Sequence, residues 1–252
     1  MYTKAQLVSQ LRELGIRSDD TIAIHISLKS LGQIDTSEMT GAEVVIAALR
    51  EAVSDGLLLV PAHTFRNIRE EPVFNVRTTM PCVGALPGVA VKLANDAWDR
   101  GDETCIRSLH PSHSVVAFGK NARKYVEDDI RAVTPTPEFG CYGKLRKVGG
   151  KILLIGVDLH NNTYFHSVDQ TLSPERVSEP FQVRFTDYEG NVTGRTARNC
   201  RGVPAANFMN YYEDLDAAGA IQLGQFGDAK VMLCDPVISF EVLEKLRKEG
   251  KF

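Results

Sequence analysis

The sequence lacks long apolar runs, paired cysteines and any concentration of basic charge. No stretch approaches the ~20 apolar residues that a helical bilayer span requires, so no membrane partner is expected. Cysteine is sparse: five residues, at 82, 105, 141, 200 and 234. An odd number, wide spacing and the lack of C-x-x-C argue against a disulfide framework or a zinc ribbon and for reduced thiols in a cytoplasmic protein. Lys and Arg together number 29 against 32 Asp and Glu, a formal net charge of -3. A nucleic-acid binder would show a basic stripe; the densest basic run here, residues 144–151, is interrupted by Gly149 and Gly150. Residues 1–15 read as a polar amphipathic helix rather than a signal peptide.

The signals that are present alternate between helix and strand. Residues 5–14 predict a helix ended by Gly15, residues 21–26 a strand, residues 41–53 a helix and residues 57–61 a fully apolar strand. Residues 62–87 carry three prolines and read as irregular, a kind of stretch that is often functional. Residues 89–98 predict a helix, 114–118 a strand, 120–127 a short helix and 151–156 the clearest buried strand. Further on, residues 181–185 and 192–196 flank a turn-rich loop and read as a hairpin. Residues 208–217 predict a helix, 229–233 a strand and 236–248 a closing helix. The expected fold is a single layered α/β domain over residues 1–252, with a mixed central sheet and a C-terminal β-rich portion.

Several common catalytic signatures are missing. No G-x-G-x-x-G follows a strand, no P-loop motif occurs, and there is no G-x-S-x-G elbow or H-E-x-x-H. The closest approach to the pyrophosphate loop of the large general acetyltransferase superfamily, residues 146–151, fails at its last position.

Three segments remain that could carry chemistry. HISLKSLG, residues 25–32, follows the first strand, where hydroxyls and backbone N–H groups are well placed for a ligand. RSLHPSHSVVAFG, residues 107–119, sets one Arg, two His and three Ser at and before a buried strand. Pro111 breaks the helix that would bring His110 and His113 to one face, so a metal site is not expected there. In KILLIGVDLHNNTYFHSVDQ, residues 151–170, His166 and Asp169 share a face if the segment is helical. A carboxylate beside an imidazole fixes its tautomer, and a histidine near its ordinary pKa of ~6.5 suits general-base work.

In that order, these segments resemble the aminoglycoside 3-N-acetyltransferase family. The resemblance rests on HISLKSLG, on TGAEVVIAAL (residues 40–49) and GLLLVPAHTF (56–65), and on Gly-Ala-Leu-Pro at 84–87. Its most specific parts are R-S-x-H-P-x-x-S-V-x-A-x-G, complete over 107–119, and G-G-x-[IV]-L-L-[IL]-G, complete over 149–156. NTYFHSVD (162–169) and GDAKVMLCD (227–235) complete it. It implies an α/β/α layered fold, acetyl-CoA as cosubstrate without a metal, and a small-molecule amine acceptor. That acceptor is an aminoglycoside antibiotic, as in antibiotic resistance, or another amine metabolite, and a CoA-binding protein with little turnover stays open beside them. By position, the resemblance makes His166 the catalytic base and Asp169 its partner. Ser27, Leu28, Ser30 and Leu31 would approach the pantetheine and phosphates, and Arg107, Ser108, His110 and Ser114 would line the cofactor cleft. Asn162 and Thr163 would shape the start of the catalytic helix, and Asp158 would serve an acidic acceptor pocket. The family's Glu is Asp at 169, a shorter side chain in the orienting position. No covalent cysteine intermediate is expected, and a homo-oligomer is compatible with the sequence.

Overall fold

The computed structural model describes residues 1–252. Its helices are α1 Lys4–Glu13, α2 Gly41–Ala52, α3 Phe65–Glu70, α4 Leu86–Asp99, α5 Ala122–Val126, α6 Lys144–Lys147, α7 Thr163–Leu172, α8 Tyr212–Ala217 and α9 Pro236–Lys248. Its strands are β1 Thr21–Ile26, β2 Leu57–Pro61, β3 Val73–Asn75, β4 Cys105–Arg107, β5 Val115–Phe118, β6 Lys151–Ile155, β7 Phe181–Thr186, β8 Val192–Ala197, β9 Ile221–Phe226 and β10 Ala229–Cys234. A seven-stranded sheet has the order β4-β5-β2-β1-β6-β10-β9, and a three-stranded sheet the order β3-β7-β8. β1 is parallel to β2 and β6, whereas β10 is antiparallel to β6 and β9. This is the mixed sheet expected. No helix is long and apolar enough to cross a membrane.

The chain forms two compact units. One comprises Met1–Leu59, Leu145–Asn162 and Pro204–Phe252. Its core strands are apolar on both faces: Ile22, Ala23 and Ile24 in β1 and Ile152 to Ile155 in β6 are buried. Strands covered on both sides read as continuous apolar runs, which is why both were legible locally. The N-terminus of α2 is closed by its own residues. The Thr40 hydroxyl accepts from the Glu43 N–H, and the Glu43 carboxylate accepts from the Thr40 N–H at 2.9 Å. The TGAE string is therefore a capping box, which occupies the N–H groups of Thr40 and Glu43.

The other unit comprises Val60–Lys144 and Thr163–Val203. Every residue of β5 is buried. β4, absent from the sequence reading, is a three-residue strand antiparallel to β5. The hairpin β7–β8 pairs from Phe181↔Ala197 to Thr186↔Val192, and the Asp187 carboxylate closes its turn by accepting from the Asn191 N–H at 2.8 Å. The stretch read as irregular contains α3 and β3. β3 pairs in parallel with β7, far along the chain, so no local pattern announces it.

Candidate active site

Helix α7 carries both residues of the expected catalytic pair. His166 and Asp169 lie three apart and share its face. Asp169 is buried, and its Oδ2 accepts from the Val203 N–H at 2.8 Å, while Arg176 Nη1 stands 3.6 Å from its Oδ1. Burial lowers the pKa of His166 below its ordinary value, and the negative charge of Asp169 offsets part of that shift. The imidazole is thus a free base at neutral pH, with a carboxylate ready to stabilise its protonated form. The C-terminal end of α7 is held by Gln170. Its Oε1 accepts from the Thr136 N–H at 3.0 Å and its Nε2 donates to the Thr134 hydroxyl.

Three further histidines gather in the same unit. The ring of His113 lies 4.8 Å from that of His63 and 5.9 Å from that of His110, and it stacks on Phe65 at 5.7 Å. Burial drives the His113 pKa well below its ordinary value, and the charges of His63, His110 and His166 add to the effect. His110 has a defined tautomer. Its Nδ1 accepts from the backbone N–H groups of Ser112 and His113 at 3.1 and 3.0 Å, so the hydrogen is on Nε2, which donates to the Thr134 carbonyl at 2.9 Å. No group of three or more His, Cys, Asp or Glu is placed to hold a metal ion.

The block from Arg107 to Ser114 is turned inward. Arg107 has 0% exposure. Its Nε donates to Ser114 Oγ at 3.0 Å, Nη1 to the carbonyls of Val76 and Thr79 at 3.0 and 2.8 Å, and Nη2 to that of Ala62 at 3.1 Å. Its guanidinium carbon also sits 5.0 Å from the centre of the Phe74 ring. Burial lowers its pKa to about 10, still far above neutrality. Ser114 donates onward to the Ala62 carbonyl at 2.8 Å, and Ser108 Oγ accepts from the Val115 N–H at 3.1 Å. The side-chain polar groups of Arg107, Ser108, His110 and Ser114 are therefore engaged with the protein itself. They tie the loop before β5 to the strand ends around it.

The remaining expected residues belong to the first unit. After β1 the chain makes a 3₁₀ turn, Leu28–Ser30, in which Ser30 Oγ donates to the Ser27 carbonyl at 2.7 Å and the Ser27 N–H to the Ile155 carbonyl at 3.0 Å. Leu31 is buried in the core, while Lys29 is exposed. Gly156, at φ +62°, passes so close that a Cβ there would overlap Ser30 Oγ. The turn thus sits at the C-terminal ends of the parallel strands β1 and β6, the usual ligand edge of such sheets. Asp158 pairs with His160 Nδ1 at 2.8 Å and is partly exposed. Asn162 is buried at the end of this unit, and Thr163 opens α7 in the other.

The sequence profile of the aminoglycoside 3-N-acetyltransferase family matches residues 23–246. The chain belongs to this family. Aminoglycoside N(3)-acetyltransferase III from Salmonella is 29% identical over 215 residues, covering 78% of this chain and 71% of that protein. Two solved structures share the fold. The AAC-IIIb binary complex with CoASH superposes with a TM-score of 0.78 at 22% identity, over 98% of this chain and 97% of that one. AAC-VIa bound to sisomicin gives 0.75 at 24% identity, over 98% of each chain. As an aminoglycoside 3-N-acetyltransferase family member, the chain is an acetyltransferase by class. The family's α/β layering is realised as the mixed seven-stranded sheet with its second, small sheet.

The family pattern has Glu where this acetyltransferase has Asp169. The structure meets the shorter side chain with backbone: a Cβ at Gly202 would overlap Asp169 Oδ2, so glycine is what lets the Val203 N–H reach the carboxylate. Thiol chemistry is disfavoured at Cys200 and Cys141. Burial pushes the Cys200 thiol up to about 12, with Asp169 adding to the effect, and burial beside Asp129 raises Cys141 well above its ordinary value. Both stay protonated and poorly nucleophilic. Sequence reasoning passed over His63 and Tyr142. Both are buried, and His63 Nε2 lies 2.5 Å from Tyr142 Oη. The one local hint was a histidine two residues after an apolar strand end.

Proposed function

We propose that this chain transfers the acetyl group of acetyl-CoA to an amine of an aminoglycoside, with His166 as general base and Asp169 as the carboxylate that orients it. The observation that carries this reading is the α7 pair: a half-buried imidazole kept neutral by desolvation, beside a carboxylate held by the Val203 N–H. Such a pair takes a proton from an attacking amine and shares the resulting positive charge. Acetyl-CoA, when bound, supplies the acetyl thioester. The turn after β1 suits a phosphorylated pantetheine: Ser27 and Ser30 offer hydroxyls, Lys29 offers an exposed cation, and Leu28 and Leu31 flank them. Asn162 and Thr163, where the chain enters α7, are the candidates for positioning the acceptor. Asp158 supplies negative charge suited to a polycation. Family relatives of the same fold seen with CoASH and with sisomicin support both ligand classes.

The test is CoA-thiol release from acetyl-CoA with a panel of aminoglycosides, with simple amines and a no-acceptor control alongside. Release with an aminoglycoside, reduced about 10²- to 10⁴-fold by His166→Ala, is the expected result. Undiminished release by His166→Ala removes the assigned base. Release only with simple amines moves the acceptor to another amine metabolite.

A further inference from the structure

The chemistry proposed above gives no role to the buried pair of His63 and Tyr142. His63 stands two residues after β2, and its backbone is fixed by the Cys82 N–H, which donates to its carbonyl at 2.7 Å. Its ring packs against His113 and, at 6.2 Å, against Phe65. Tyr142 also hydrogen-bonds the side chain of Thr163. Its hydroxyl shares a hydrogen bond of 2.5 Å with His63 Nε2. Hydrogen bonds therefore join Thr163, Tyr142 and His63, and Thr163 is the first residue of α7.

We propose that His63 is a positioning residue for the catalytic helix, acting through Tyr142 on the first turn of α7 and thereby on the placement of His166. The inference rests on His166 being the base. Two aromatic rings without heteroatoms would fill the same space and avoid desolvating two polar groups. What the hydroxyl and the imidazole add is direction: a bond of fixed length to Thr163, one turn before His166. A fully satisfied buried polar chain rigidifies what it joins. His63 is attached to the end of a buried strand of the seven-stranded sheet, so it is a rigid anchor for that bond.

The test uses the full chain with His63→Phe, His63→Gln and Tyr142→Phe, read in two ways. Amide hydrogen exchange over residues 164–170 needs no activity. Faster exchange in His63→Phe and Tyr142→Phe, with wild-type rates in His63→Gln, whose amide can still hydrogen-bond the phenol, is expected. Steady-state acetyl transfer should show kcat lowered about 10- to 100-fold in the two Phe variants, the size of a misplacement near 1 Å. KM for acetyl-CoA should be unchanged, and His63→Gln should restore kcat substantially. Combining His63→Phe with Tyr142→Phe should cost no more than either alone. Unchanged exchange in α7, or a loss that His63→Gln does not repair, overturns the proposal. Loosened α7 in a protein whose His166→Ala variant keeps full activity would leave His63 a helix anchor and remove only the catalytic reading of His166.

Discussion

The Val203 N–H donates to Asp169 Oδ2 at 2.8 Å, from a segment that approaches closely because Gly202 has no side chain. Arg176 completes the surroundings of the carboxylate, 3.6 Å from its other oxygen. A hydrogen bond of this kind fixes the direction of the carboxylate. The family's Glu-to-Asp change at 169 thus comes with a backbone arrangement that serves the shorter side chain.

Asp169→Glu is therefore expected to lower acetyl transfer, by about tenfold or more, because a longer side chain has no room against residues 202–203. Gly202→Ala should act in the same direction, since its Cβ would occupy the position of Oδ2. Comparison of kcat/KM for the two variants with wild type checks both. A rate increase in Asp169→Glu would show that the segment yields readily.

The acid limb of kcat/KM should report His166. Burial lowers its pKa, so the midpoint should fall below the ordinary ~6.5, with activity lost as pH drops through it. Asp169→Asn removes the charge that raises this pKa. It should move the limb to still lower pH while lowering the plateau. A pH–rate profile of both proteins decides this, and a limb that moves upward in Asp169→Asn contradicts the assignment.

Arg107 is expected to matter for stability rather than for the cosubstrate. Arg107→Lys cannot reproduce donation to Ser114, Val76, Thr79 and Ala62 together, and it leaves buried carbonyls unpaired. A cost of about 3 kcal/mol corresponds to a fall in Tm of roughly 6–12 °C for a chain of this size. KM for acetyl-CoA should stay near wild type at permissive temperature. A raised KM with unchanged Tm would instead place the guanidinium at the cofactor.

Acid should destabilise the fold through its buried and half-buried histidines. The pKa values of His110, His113 and His166 are all lowered in the folded state. Below the unfolded value of ~6.5 the unfolded chain binds more protons, so stability falls as pH falls. Each group contributes a slope of at most about 1.4 kcal/mol per pH unit, until pH reaches its folded value. Denaturant unfolding of His113→Gln between pH 7 and 5 should show a shallower slope than wild type. An identical slope would mean that His113 does not titrate in this range on unfolding.

Much of the architecture is written in local pattern. TIAIHI, LLLVP and KILLI are short, mostly apolar runs, and they became β1, β2 and β6 within a residue of the expected ends. Helix α9 begins where Asp235 and Pro236 start it, with the Asp235 carboxylate accepting from the N–H groups of Val237 and Ile238 at 2.7 and 3.0 Å. β3 and β4 escaped notice because three residues carry no period, and β9 because Gly224 and two glutamines interrupt its apolar residues.

The sequence by itself determined the α/β class, the family and the placement of His166 and Asp169 on one helical face, because each depends on residues close together in the chain. Tertiary structure alone decided what the polar side chains bind. An arginine before a strand can face a phosphate or fold back, and only the convergence of the Ala62, Val76 and Thr79 carbonyls turned Arg107 inward. The meetings of Val203 with Asp169 and of Tyr142 with His63 join residues remote in sequence. No local pattern encodes such pairs; they form because packing the core brings together the loops that carry them.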